Sequence, residues 1–269
     1  MRTELVSEPG DPNRPNEDFA SVALPASGRG GVLITLDGVT PPDGPTGCPH
    51  SVPWFTARLG GALTELAVSL MDVPLAEVLS RAIARTAEAH GKGCDLSHPR
   101  TPQATVVMAR WSPSRVEYLV LSDSALLVEA PDGTVTPHLD DRLSRLPRAS
   151  LATDALIDAD LRNKEGGFFT AAADPAVAER AVTGVLPRSS VRTLVAMTDG
   201  ATRWVEKFQE GGWDDCFTFV RKEGARALVE RVRDLERGDA QERAFLRRSK
   251  THDDATVVYA ELDRAPGSP

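Results

Sequence analysis

Aromatic residues make up only 5% of the 269-residue chain, and cysteine occurs three times, at Cys48, Cys94 and Cys216. Three scattered thiols make no disulfide framework and no Cys-x2-Cys metal pair, and they fit a reducing compartment. None of the five histidines stands at a ligand spacing such as His-x3-His. Positive charge is also scarce, with 31 Lys and Arg against 39 Asp and Glu for a net charge of −8, which argues against a surface that grips nucleic-acid phosphates. No apolar run is long enough to span a membrane, and "MRTELVSEPGDPNRPNED" at the start has no stretch of signal-peptide length. A cytoplasmic protein with neither a membrane nor a nucleic-acid partner is expected. The Gly-x-Ser-x-Gly elbow of hydrolases and the Gly-x4-Gly-Lys-Ser/Thr phosphate loop are both missing.

What is present is a set of short apolar runs, at 18–24, 31–36, 104–109, 116–121, 125–129, 193–198 and 255–262, within a chain that is 41% hydrophobic. Several show no polar alternation, so both of their faces are expected to be covered. Runs 104–109, 116–121 and 125–129 lie too close together for a crossover helix, and these neighbours must be antiparallel. Between the second and third runs, Phe55, Leu59, Leu63, Leu66 and Leu70 share one helical face. After Asp72 and Pro74, Leu75, Val78, Leu79, Ala82 and Ile83 share another. Two later helices are expected, from Asp174-Pro175 to Gly184 and from about Glu223 to Leu235. Segment 131–192 reads as polar and irregular, with "NKEGGF" at 163–168 as a loop, and "GRGG" at 28–31 reads as a hairpin loop. The tail "DRAPGSP" reads as disordered. The pattern implies one domain over 1–269, a four-layer α-β-β-α sandwich of two mainly antiparallel sheets flanked by helices.

Carboxylates mark the strand ends. "GVLITLDGVT" and "TLVAMTDGAT" each stop at Asp-Gly, Asp37-Gly38 and Asp199-Gly200, while Glu17-Asp18 opens the first run, Asp253-Asp254 the last, and Asp123 follows "YLVLS". Asp-Gly by itself is a common turn dipeptide. Carboxylates gathered without a counter-ion repel one another, however, and an oxygen-only set is the natural partner of Mg²⁺ or Mn²⁺ rather than Zn²⁺. Glycine at 38 would let a backbone carbonyl come close to such an ion.

Six segments, "RPNEDFA", "LITLDGV", "TPQATVVMAR", "YLVLSDSALLV", "LVAMTDGATRW" and "THDDATVVYAEL", stand in the order of the motifs of the metal-dependent Ser/Thr protein phosphatases of the type 2C class, which the chain resembles over residues 13–262. The resemblance implies the same sandwich, with two Mn²⁺ or Mg²⁺ ions between the sheets. It implies that Asp37 bridges both ions, that Glu17 and the Gly38 carbonyl serve one, and that Asp199 and Asp253 hold the other. Asp18 would orient water, and Arg14 would hold phosphate through its planar fork. A water bridging the ions would attack the phosphoester, so no protein nucleophile is required. The implied substrate is a phosphoserine or phosphothreonine protein, or a small phosphoester.

Several positions depart from the family pattern. Arg14 lies four residues before Asp18 where five is usual, and Val39 and Thr40 replace His, Met or Val and then Gly. Ser122 replaces the glycine of Gly-Asp-Ser, and Arg203 stands where an acidic residue often sits. Arg203 is expected to keep a third ion away by pairing with Asp123 or reaching toward phosphate, unless it faces solvent. The displaced Arg14 and Arg203 motivate an alternative, a pseudophosphatase that keeps the fold as a binding or regulatory module. A further rival is the Cys-x5-Arg spacing of "CDLSHPR", Cys94 to Arg100, which lacks the glycines and amides of a cysteine-phosphatase loop. His98 and His252 read as surface or hydrogen-bonded histidines. The stretch "RVRDLERGDAQERAFLRRSK" reads as a solvated helix face and segment 131–192 as a flap beside the site.

Overall fold

A computed structural model describes residues 1–242 and 251–263. Among the described residues ten strands form two five-stranded sheets, and each of these strands runs antiparallel to its neighbours. The first sheet has the order β1 (Arg2–Glu8), β10 (Ala255–Glu261), β9 (Thr193–Met197), β6 (Ala125–Glu129), β7 (Val135–Leu139). The second has the order β2 (Phe19–Ala23), β3 (Gly31–Gly38), β4 (Ala104–Trp111), β5 (Arg115–Leu121), β8 (Val182–Pro187).

Helices α1 (Val52–Ser69) and α2 (Leu75–Ala89) cover the outer face of the second sheet, and α3 (Asp199–Glu206), α4 (Trp213–Glu223) and α5 (Ala225–Glu242) cover that of the first. The continuous apolar runs are explained by this layering. In β3, Val32, Ile34 and Leu36 face α1 and α2 while Leu33 faces the other sheet. In β10, Val257 and Tyr259 face the helices while Val258 and Ala260 face the sheet. Strands with both faces covered have no polar side to alternate with.

Local chemistry sets the helix ends. Ser51 caps α1 by accepting from the Trp54 amide at 3.3 Å. Arg110, 1% exposed on β4, closes the other end, its Nη1 donating to the Leu70 carbonyl at 2.8 Å and its Nη2 to that of Val73 at 2.6 Å. The expected face of α1 is buried at Phe55, Leu59 and Leu63, and that of α2 at all five expected positions.

Three expectations are corrected. Asp174-Pro175 does start a helical turn, but it is a 3₁₀ turn over Pro175–Arg180, and Gly184 lies inside β8, where an added Cβ would meet the Tyr118 ring at 2.4 Å. Segment 131–192 is not irregular throughout, since it supplies both β7 and β8. Helices α3 and α4 have no counterpart in the apolar periodicity, because α3 is short and α4 buries only Cys216, Phe217 and Val220. The loop at 163–168 is found as a turn, with Asn163 and Gly166 at positive φ. Residues 243–250 of the charge-rich stretch and 264–269 of the tail lie outside the described residues.

Candidate functional site

Ladder geometry brings the acidic strand ends together at one end of the sandwich. Asp37 sits near the end of the β3 ladder, paired with Thr105, and Asp199 opens α3 where β9 stops, its amide donating to Asp37 Oδ2 at 3.2 Å. Neither Asp-Gly pair is a hairpin turn, and neither glycine has a positive φ. A Cβ at Gly38 would stand 2.5 Å from the Glu17 carbonyl oxygen, and one at Gly200 would stand 2.0 Å from that of Asp254. Each glycine therefore lets a second acidic segment press against the first.

Asp18, entering β2, has a strongly prepared environment. Its Oδ2 accepts from the Thr198 hydroxyl at 2.9 Å and the Thr256 hydroxyl at 2.7 Å, and Ser7 Oγ lies 2.8 Å from Thr256 Oγ1. Its Oδ1 is buried without a hydrogen-bond partner among the described residues. Burial pushes the Asp18 carboxyl up to about 7, against the two hydroxyls that favour its charge. Asp37 and Asp199 are held well above the usual carboxylate range, first by burial and then by neighbours: Asp199, Asp18, Asp253 and Asp123 act on Asp37, and Asp253 and Asp123 on Asp199. Asp123 is raised by burial, with Asp140 adding to the rise and the Ser122 hydroxyl and Arg162 opposing it. These five carboxylates form one electrostatic unit.

The remaining acids organise the rim. Asp254 accepts from the Gly10 amide at 2.7 Å and the Glu17 amide at 2.6 Å, tying the N-terminal arm to the start of β10. Glu17 Oε2 accepts from the Thr40 hydroxyl, so the threonine that replaces a family glycine holds an acidic side chain. An open cleft of about 320 Å³ lies here, lined by Arg14, Glu17, Thr40, His252, Asp253 and Asp254 among others. Arg14 is exposed at its edge.

Arg203 is neither in solvent nor on Asp123. It is buried one helical turn after Asp199, with Nη2 on Asp253 Oδ2 at 2.8 Å and Nη1 on Glu236 Oε1. Glu236, itself 0% exposed, also takes Arg233 and the His252 ring, each at 2.8 Å. The charge nearest to Asp123 in effect is instead Arg162, from the segment between β7 and β8. Arg100 bonds Asp158 at 2.7 Å, while the Cys94 thiol faces Cys48, so the Cys-x5-Arg pair is not assembled.

A second cluster was missed in the sequence. Cys48, His50, His90 and Cys94 offer ligand atoms that all lie within 4.8 Å of one another. Two of the three cysteines are therefore brought together in space, while Cys216 lies apart in α4, and two histidines do take part. The available signal was the mixed pair of spacings, Cys-x-His at 48–50 and His-x3-Cys at 90–94, which a search for cysteine pairs and histidine pairs separately passes over.

No family model and no curated protein matches the chain. Solved structures do. The Ser/Thr phosphatase Stp1 from Staphylococcus aureus aligns with a TM-score of 0.58 at 13% identity, covering 98% of this chain and 95% of that one. The serine/threonine phosphatase of S. agalactiae gives 0.57 at 14%, covering 97% and 99%. The fold is that of the bacterial Ser/Thr phosphatases. RsbX in complex with magnesium aligns with a TM-score of 0.53 at 10% identity, covering 97% of this chain and 94% of that one. At these identities the likeness concerns the layered sandwich, which matches the four-layer arrangement expected from the spacing of the apolar runs. Among the described residues no helix is long and apolar enough to cross a membrane.

Proposed function

We propose that this chain is a metal-dependent phosphomonoester hydrolase acting on phosphoserine or phosphothreonine proteins, with Mn²⁺ or Mg²⁺ at the carboxylate cluster. The observation that carries the proposal is the convergence of Asp18, Asp37, Asp123, Asp199 and Asp253, whose mutual repulsion and burial call for cationic charge. The orphaned Asp18 Oδ1 adds a buried acceptor that water at a metal centre would satisfy. The donor set is all oxygen, which suits hard ions. Asp37 would serve both ions, Glu17 and the Gly38 carbonyl one, and Asp199 and Asp253 the other. Two such ions would supply charge neutralisation at a phosphoryl group and would acidify water.

The chain's own groups do the rest. Thr198 and Thr256 hold Asp18 by Oδ2 and leave Oδ1 to accept from and orient the attacking water. Arg14, at the cleft edge, would take two phosphate oxygens through its planar guanidinium. Valine at 39 has no proton to give, so the leaving group takes its proton from water or another group. The fold of the solved bacterial phosphatases supports the same reading.

One observation favours a second reading. Arg203 occupies Asp253 Oδ2 at 2.8 Å, one oxygen of a carboxylate that would hold an ion. A chain in which that pair persisted would bind metal weakly and serve as a regulatory or binding module. Turnover of p-nitrophenyl phosphate and a phosphopeptide with Mn²⁺, Mg²⁺ or EDTA decides between them. The proposal expects activity with either ion and none in EDTA. Full activity in EDTA would sink the metal mechanism, and no activity at any metal concentration would leave the binding module.

A further inference from the structure

The Cys48–Cys94 cluster has no part in the carboxylate site. Its ligands come from elsewhere: Cys48 and His50 from the loop between β3 and α1, His90 from the end of α2, and Cys94 one helical turn further on. Cys48 Sγ lies 3.2 Å from His90 Nδ1, 3.4 Å from His50 Nδ1 and 3.0 Å from Cys94 Sγ, and Cys94 Sγ lies 3.3 Å from His50 Nδ1.

We propose that Cys48, His50, His90 and Cys94 bind one Zn²⁺ in a closed, four-coordinate structural site. Two sulfurs and two nitrogens are the donor set of tetrahedral zinc, and Zn–S near 2.3 Å with Zn–N near 2.05 Å places S and N about 3.6 Å apart and the two sulfurs about 3.8 Å apart. The observed S–N separations are a few tenths of an ångström shorter and the two sulfurs, 3.0 Å apart, about 0.8 Å closer than zinc would hold them, so side-chain rotation that moves the sulfurs apart opens the space. Two thiolates neutralise the ion, which suits ligands that are buried or half-buried. Soft sulfur and imidazole donors separate this site from the oxygen-only cluster, so the two select different metals.

Aromatic packing shapes the cluster. The Trp54 ring stacks on His50 with centroids 3.9 Å apart and meets His90 edge-on at 4.8 Å, so both imidazoles are held by the first turn of α1. A disulfide would need the sulfurs at about 2.05 Å and would leave both imidazoles with no ligand role. Four protein ligands leave no open position for substrate, which makes the site structural rather than catalytic.

Its consequence follows from what the loop carries. Residues 39–51 leave β3 directly after Asp37-Gly38, supply Thr40 to Glu17, and return at Val52, whose Cγ1 lies 2.4 Å from where a Gly38 Cβ would be. Zinc would fasten this loop to the end of α2 and thereby fix one wall of the acidic cleft.

The test uses the full chain purified with reductant and dialysed against a mild chelator that removes weakly held ions. Zinc is then counted by mass spectrometry, and Co²⁺ exchange is followed optically, in the unmodified chain and in Asp37→Asn. About one zinc per chain is expected in both, with tetrahedral d–d bands and a thiolate-to-cobalt charge-transfer band after exchange. Cys216→Ser, which alters a thiol buried under α4, should keep both signals, and Cys94→Ser and His90→Ala should lose them. The proposal is overturned by absent zinc together with absent thiolate–cobalt bands in the unmodified chain. It is also overturned by retention of both signals in Cys94→Ser, or by a Cys48–Cys94 disulfide in protein isolated anaerobically under reduction. None of these readouts depends on phosphatase activity, so failure here and failure of the phosphatase reading are separate results.

Discussion

The acidic cluster and the Cys/His cluster rest on different supports. Asp37, Asp199 and Asp18 are placed by strand ladders: β3 carries Asp37, β9 delivers Asp199, and the hydroxyls of Thr198 and Thr256 pin Asp18 between them. The Cys/His cluster is placed by a loop and by the 3₁₀ turn that ends a helix, with backbone bonds such as Asp95 N to the Gly47 carbonyl at 2.7 Å. A sheet holds its side chains in place whether or not an ion is bound, so the acidic site is preformed but self-repelling. A loop must offset its own ordering entropy, so the second site needs its ion to have a fixed shape. Metal is thus expected to control chemistry at one site and architecture at the other.

The sharpest break between the two sites is Asp37→Asn. It should lower metal-dependent turnover by about 10³-fold or more, because several kcal/mol of charge stabilisation is lost, while zinc content stays unchanged. Parallel activity and zinc assays check this. Loss of zinc in that variant would mean that the clusters are one cooperative unit.

Cys94→Ser should show the opposite pattern. Removing a structural ligand is expected to lower Tm by about 10 °C, the equivalent of a few kcal/mol in a chain of this size. Turnover per folded molecule at low temperature should stay within a few-fold. Calorimetry beside kinetics tests the division.

The third prediction concerns pH in metal-free protein. Folded Asp18 is raised to about 7 from 3.8. Between about pH 4 and pH 7 the folded chain therefore keeps a proton that the unfolded chain has released, and stability must fall as pH rises through that window. The change is on the order of a few kcal/mol at most, and saturating Mn²⁺ should flatten it. Denaturant titrations at several pH values with EDTA or Mn²⁺ measure the slope, and a metal-free slope of opposite sign would refute the self-repelling site.

Arg203→Met comes next. It strips one partner from Glu236 and from Asp253, but Arg233 and His252 remain on Glu236, so a loss of about 2 kcal/mol is expected, below the usual range for breaking a buried pair. Asp253 is freed at the same time, and half-maximal activity should need less Mn²⁺. A higher metal requirement would show that Arg203 orients Asp253 for the ion rather than competing with it.

The smallest effect belongs to Ser122→Gly. Ser122 holds φ at 70°, a conformation that costs a side chain about 1 kcal/mol and that glycine adopts freely. The gain is offset by greater freedom in the unfolded chain and by loss of the Ser122 hydroxyl on Asp123 at 3.1 Å. Chemical denaturation should show a net change below about 1 kcal/mol.

How far the sequence was legible depends on burial. The central strands β3, β4, β5, β6, β9 and β10 were legible because both faces are covered. Of the four edge strands only β2 was. The edges β1, β7 and β8 bury little beyond Val6 and carry Pro137, Gly184 and Pro187, as edges can when one side of the backbone needs no ladder partner. The acidic residues were legible one by one at strand ends, and the structure brings Asp18, Asp37, Asp123, Asp199 and Asp253 into one electrostatic unit.

The sequence by itself determined the order of the central strands' apolar runs, the helical faces of α1 and α2, and the carboxylates at strand ends, because each depends on neighbours within a few residues. Only the tertiary structure decided the partner of Arg203, which lies 33 residues from Glu236 and 50 from Asp253. It also decided why Gly38 and Gly200 must be glycines, since the atoms that exclude a Cβ belong to Glu17 and Asp254. The meeting of Cys48 and His50 with His90 and Cys94 belongs to the same class. Such contacts are set by how α1 and α2 pack on the sheet, and no local pattern encodes the distance between two loops that packing brings together.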